Sequence, residues 1–88
     1  MDDFIKAYTD SGVNVDPSKK QLYQMIGAED GVYFYMDNEP VKVYKYKSEK
    51  ELKDAVKSNP ILKDWPTNAN FVLETNNEKA KEIFKSVK

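Results

Sequence analysis

Six tyrosines, a single tryptophan, fourteen lysines and fifteen carboxylates are the side chains here from which a functional site could be built. Histidine and cysteine are absent, which removes the commonest general base, the commonest metal ligand and any thiolate nucleophile. A metal site would have to be all-oxygen, drawn from Asp, Glu and Asn. Every basic residue is lysine, and seven asparagines accompany them, a bias expected of AT-rich codons. Arginine supplies the bidentate fork for phosphates and guanine edges. With none present and a net charge of −1, nucleic-acid binding is not expected.

The pairs Asp2/Asp3, Glu29/Asp30 and Glu49/Glu51 would form a catalytic dyad only if buried and facing one another. Each falls at a helix start or a turn, where capping and solvation account for it. Asp37-Asn38-Glu39 lacks the spacing, glycine and terminal glutamate of a calcium loop. Ser48 with Lys50 or Lys53 is a serine–lysine pair by proximity, but Ser48 stands where a helix cap engages its oxygen. Gly27 and Gly31 flank an acidic dipeptide, the wrong charge for cradling phosphate. Trp65, between Asp64 and Pro66, is expected to anchor a loop onto the core. No cofactor, no metal and no enzymatic activity are expected.

The tyrosines are the most informative feature. Val32-Tyr-Phe-Tyr-Met36 and Val41-Lys-Val-Tyr-Lys-Tyr46 read as two strands of a hairpin, with Asp37-Asn38-Glu39-Pro40 as the turn. A two- or four-residue loop pairs Met36 with Val41, Phe34 with Val43 and Tyr33 with Tyr44. Val32, Phe34, Met36, Val41 and Val43 then share a core face. Tyr33, Tyr35, Tyr44 and Tyr46 share the other, with Lys42 beside them, and these five residues form the candidate binding face. Such a face clads a half-buried sheet, meets a partner protein through aromatic area that costs little side-chain entropy to order, or takes a small ligand.

Around the hairpin, Asp2 and Asp3 open a helix to about Ser11, with Phe4, Ile5, Ala7 and Tyr8 as its apolar stripe and Gly12 as its terminator. Val13 and Val15 suggest an extended segment. Asp16-Pro17 signals a second helix start, with Leu22, Tyr23, Met25 and Ile26 on its face and Gly27 at its end; an extended stretch there is the alternative. Ser48 to Glu51 is a capping box for a helix carrying Leu52, Ala55 and Val56 and ending before Pro60. Ile61, Leu62 and Trp65 punctuate a loop, and Asn68 and Asn70 mark a turn. Phe71-Val-Leu-Glu-Thr75 is a strand, and Ala80, Ile83, Phe84 and Val87 give a final helix from Asn76 or Asn77. This order predicts one α+β domain over residues 1–88: a small antiparallel sheet with a central hairpin and helices packed on one face.

Charge is uneven along the chain. Residues 1–40 carry eight acids against three lysines, and residues 41–63 carry seven lysines against three acids. The segments are either two solvated faces or, in the second case, a lysine-rich strand and helix turned toward an anionic partner. No stretch approaches the ~20 apolar residues of a spanning helix, and no apolar signal-peptide core follows Met1.

The run Tyr23-Gln-Met-Ile-Gly-Ala28, then Asp30-Gly31, Val32-Tyr-Phe-Tyr35, Val41-Lys-Val-Tyr-Lys-Tyr46, Ser48 and Leu52 resembles a pattern in small uncharacterised bacterial lipoproteins. The resemblance covers residues 4–56. It implies an extracytoplasmic domain, tethered to a membrane by a lipidated cysteine and without assigned enzymatic activity. The signal peptide and that cysteine are missing from this sequence, so the resemblance implies an anchor removed ahead of Met1. The expected function is a monomeric, non-catalytic module contacting another protein. The alternatives are a small cytoplasmic or phage-type accessory protein and, from a different class, an enzyme with a buried pair of Asp, Glu or Lys in a pocket.

Overall fold

The hydrophobic stripe of Phe4 and Tyr8 at i and i+4 makes one face of a short helix, α1 (Asp2–Asp10), whose first turn carries Asp2 and Asp3 against the helix dipole. Gly12, at φ +88°, turns the chain out of it. The structure is a computed structural model that describes residues 2–16, 18–20 and 26–87. Among these lie β1 (Asp30–Met36), β2 (Glu39–Lys45), α2 (Glu49–Ser58), a 3-10 helix (Pro60–Asp64), β3 (Thr67–Asn68), β4 (Phe71–Thr75) and α3 (Glu78–Ser86). The helix expected after Asp16-Pro17 falls largely on residues 21–25, outside the described residues. Val13 and Val15 lie in irregular backbone outside any strand, and Val13 is buried against the core.

The four strands form one antiparallel sheet in the order β1-β2-β4-β3, so the α+β class and the antiparallel sheet stand as expected. Asp37 and Asn38 both adopt positive φ, 52° and 66°, which makes a two-residue turn matched to the twist of the strands. That turn settles the register. Phe34 lies opposite Val41, Val32 opposite Val43, Tyr33 opposite Lys42 and Met36 opposite Glu39. The expected pairs, Met36 with Val41, Phe34 with Val43 and Tyr33 with Tyr44, belong to the longer loop and are corrected. Because the slip is two residues, every side chain keeps its face.

Pro40 therefore sits inside β2 rather than in the turn. The Tyr33 N–H points outward to Lys19 O, so Tyr33 and Lys42 are a non-hydrogen-bonded pair. By alternation Tyr35 and Pro40 are one too, and β1 asks no N–H of the proline. On the other side, β4 pairs with β2 only from Val41 onward.

One face of the sheet carries Val32, Phe34, Val41, Val43 and Leu73, packed with Phe4 and Tyr8 of α1 and Ala80 and Phe84 of α3. Rings lock the layers: Phe4 lies 4.3 Å from Phe71 and 4.9 Å from Phe84, and Tyr8 lies 4.8 Å from Phe34. Tyr8 is wholly buried, and its hydroxyl donates to Ala80 O at 2.7 Å, joining α1 to α3.

Of the three α-helices among the described residues, α1 and α3 share this face and α2 does not, so the expected packing on one face holds for two of them. Strands β2 and β3 both run antiparallel to β4, hence parallel to each other with β4 between them. Parallel strands need a crossover, and a crossover must pass over a face of the sheet. With α1 and α3 on the first face, α2 and the 3-10 helix take the second. There Leu52 and Leu62 pack with Tyr44, Tyr46, Val72 and Ala28 in a separate cluster. Ser48 caps α2 as expected, its Oγ accepting from Glu51 N–H at 3.2 Å.

Asn77, buried at 5% exposure, caps α3 by accepting from Ala80 N–H at 2.9 Å. Its Nδ2 donates to Met36 O and Glu39 Oε1, each at 3.2 Å. Asn68 in β3 closes the other end of α3, donating to Phe84 O at 3.0 Å and Val87 O at 2.7 Å.

Two measurements check this arrangement. In urea unfolding, Phe34→Ala and Val43→Ala should each cost about 2–4 kcal/mol, and Tyr35→Ala less than about 1 kcal/mol. Equal losses at all three would reject the assignment of faces. The second concerns alkali. Burial pushes the Tyr8 phenol well above its ordinary value. The unfolded chain ionises this group near ~10, so the native state holds a proton that the unfolded state has lost. Its contribution is complete below that value and disappears as pH rises toward the folded one. Tyr8→Phe should lower stability at pH 7 by about 1 kcal/mol for the lost hydrogen bond, and should fall less steeply than the parent in pH-dependent unfolding above ~10.

Candidate functional site

The five candidate residues occupy the second sheet face, but the structure divides them. Tyr44 and Tyr46 are buried beneath α2 and the 3-10 helix. The Tyr44 ring stacks on Trp65 at 6.1 Å and 11°, and its hydroxyl donates to Glu74 Oε1 at 3.0 Å. The Tyr46 hydroxyl donates to Ile26 O at 2.6 Å, and burial raises its pKa. Backbone bonds hold Tyr46 further: its N–H donates to Asn70 O at 2.8 Å, and its carbonyl accepts from Asn70 Nδ2. A tyrosine can take this role because its ring fills a core while its hydroxyl reaches a buried carbonyl or carboxylate. Both clad the sheet, one of the alternatives the sequence leaves open for this face, and only the other half of the face is exposed.

Tyr33, Tyr35 and Lys42 make up the open half. Tyr35 is 62% exposed on a strand of the hairpin, and Tyr33 is half-buried. Cross-strand pairing sets Tyr33, Lys42 and Glu74 in one row across β1, β2 and β4, with Tyr35 and Pro40 in the next. Lys42 Nζ lies 3.9 Å from Glu74 Oε1, so Glu74 faces both the lysine and the Tyr44 hydroxyl. At this pair the sheet runs into a cleft of about 350 Å³ lined by Pro40, Lys42, Glu74, Trp65, Pro66 and Lys81, among others. Trp65 does anchor its loop, against Tyr44, and is also a cleft wall.

Glu74 and Pro40 were not among the candidates. Glu74 was readable in principle: in Phe71-Val-Leu-Glu-Thr75 it alternates with Val72, which opposes Tyr44. Nothing local signals that β4 lies beside β2. Pro40 was assigned to the turn, and only the φ values of Asp37 and Asn38 move it into the strand.

The other chemical groupings are dispersed. Asp2 and Asp3 lie exposed in the first turn of α1, as do Glu49 and Glu51 in that of α2. Asp30 pairs with Lys20 at 3.1 Å, and Glu29 lies 3.8 Å from Lys45. Among the described residues the only buried polar side chain is Asn77, which is fully bonded, and no cluster of three Asp or Glu could hold a metal ion. No helix among them is long and apolar enough to cross a membrane. The arrangement can present an aromatic surface edged by one cation and one carboxylate. It offers no desolvated acid or base to move a proton.

Nitration separates the two halves of the face. Limited tetranitromethane treatment, mapped by peptide mass spectrometry, should modify Tyr35 first and leave Tyr44, Tyr46 and Tyr8 protected until the protein unfolds. Early modification of Tyr46 would show that α2 does not cover it. Comparison of the chain with protein-family models, with curated proteins and with solved structures finds no match.

Proposed function

We propose that this domain is a non-catalytic protein-interaction module, and that a partner is met at Tyr33, Tyr35 and Lys42. The single observation that carries the reading is Tyr35, a large ring 62% exposed on a strand held in a four-stranded sheet. An exposed aromatic on rigid backbone gives contact area without a large ordering cost, the property on which binding surfaces draw. Lys42 and the Trp65 cleft supply a charge and a concavity beside it.

The resemblance to small bacterial lipoproteins adds a location: outside the cytoplasm, held to a membrane through a lipidated cysteine encoded ahead of Met1. The gene upstream of Met1 tests this. An apolar segment ending in a cysteine is expected, and a native start at Met1 overturns it.

Photocrosslinking tests the surface. Benzoylphenylalanine placed at position 35, and separately at the exposed Glu82 of α3, is irradiated in the native host. One discrete adduct is expected from position 35, absent from position 82 and weakened by Lys42→Gln. The same adducts from both positions, or none from position 35, would sink the proposal.

A further inference from the structure

Trp65 also lines a second groove, of about 590 Å³, between α2 and the 3-10 helix. Its floor is apolar, built from Leu52, Val56, Leu62 and Trp65. Lys53 and Lys57 stand one helical turn apart on the α2 wall, and Lys63 rises from the 3-10 helix on the opposite wall. All three are exposed, and among the described residues none of them forms an ion pair. Glu49 is the one carboxylate in the lining. The groove therefore carries an excess of positive charge around an apolar floor.

We infer that this groove receives an acidic amphipathic segment of a partner protein. An apolar side chain of that segment seats against Val56 and Trp65, which are partly exposed over the buried Leu52 and Leu62, and its flanking carboxylates meet Lys53, Lys57 and Lys63. Each half of the pattern needs the other. A free anion would leave the apolar floor unused, and a purely apolar ligand would leave the three lysines unused. The lysines approach from two walls rather than from one plane, which suits a chain lying in the groove and not a flat anionic bilayer. Lysines 53 and 57, four apart on one helix, have Cβ atoms about 6 Å from each other. That is the spacing at which carboxylates one helical turn apart, or two residues apart on a strand, can meet both. This surface shares Trp65 with the cleft but none of Tyr33, Tyr35 and Lys42, and substitution of its own lysines tests it without them.

The test uses the whole chain and a dodecamer of three Glu-Leu-Leu-Asp repeats, read by the fluorescence of Trp65, the only tryptophan. Saturable binding with a shift in Trp65 emission is expected, weakened about tenfold when Lys53→Gln, Lys57→Gln and Lys63→Gln are combined. It should weaken as salt is raised from about 0.05 to about 0.3 M. The Lys57→Gln single variant gives a smaller loss in the same direction should the triple variant misfold. A matching peptide of Glu-Ser-Ser-Asp repeats should not bind. Several results would overturn the inference: equal binding of the serine peptide, unchanged affinity in the lysine variants, or no binding by the parent chain. So would a Trp65 response to phosphatidylglycerol vesicles with none to the peptide, or self-association of the chain that the peptide cannot displace.

Discussion

The carboxamide of Asn77 is where four elements of this fold are tied together. It is buried between the end of β4 and the start of α3, and both polar atoms of its side chain are hydrogen-bonded within the protein. Its oxygen takes an N–H that α3 would otherwise leave without a partner. Its nitrogen reaches across to the last carbonyl of β1 and to Glu39 at the start of β2. Thr75 joins from the same corner, accepting from Asn77 N–H and donating to Pro40 O. The hairpin turn, the β2–β4 pairing and the helix therefore share one point, and a shift in any of them would strand a buried polar group.

Asparagine does similar work at two further places. Asn68 occupies the last carbonyls of α3, and Asn70 holds the chain at Tyr46. What composition alone makes look like codon bias is, at positions 68, 70 and 77, a set of buried or half-buried amides. Each supplies an N–H donor, and Asn77 an acceptor as well, without the desolvation cost of a charge.

The crossover from β2 to β3 decides the fate of the tyrosines. It carries α2 and the 3-10 helix over one end of the second sheet face and closes Tyr44 and Tyr46 beneath them, while the hairpin end remains open at Tyr35. The same crossover brings three of the seven lysines of residues 41–63, Lys53, Lys57 and Lys63, to one groove. Aromatic surface and basic surface meet at Trp65, which lines the cleft on one side and the groove on the other. Neither proposed surface requires titratable chemistry.

Local pattern was enough for the hairpin strands, the core face of Val32, Phe34, Val41 and Val43, the Ser48 cap, and the Ala80–Phe84 stripe of α3. Alternation and capping are properties of neighbouring residues, and they survive even an error of register by two. The two-residue turn was harder, because Asp37-Asn38 and Asp37-Asn38-Glu39-Pro40 are both plausible turns. The choice lies in positive φ angles that packing and Asn77 hold in place. Strand β3, two residues long, exists only because β4 offers it an edge. Which tyrosines would be buried depended on where the chain crosses the sheet, a contact between residues some twenty positions apart in sequence. Periodicity tells a side chain which face it shares; only the tertiary structure decides what covers that face.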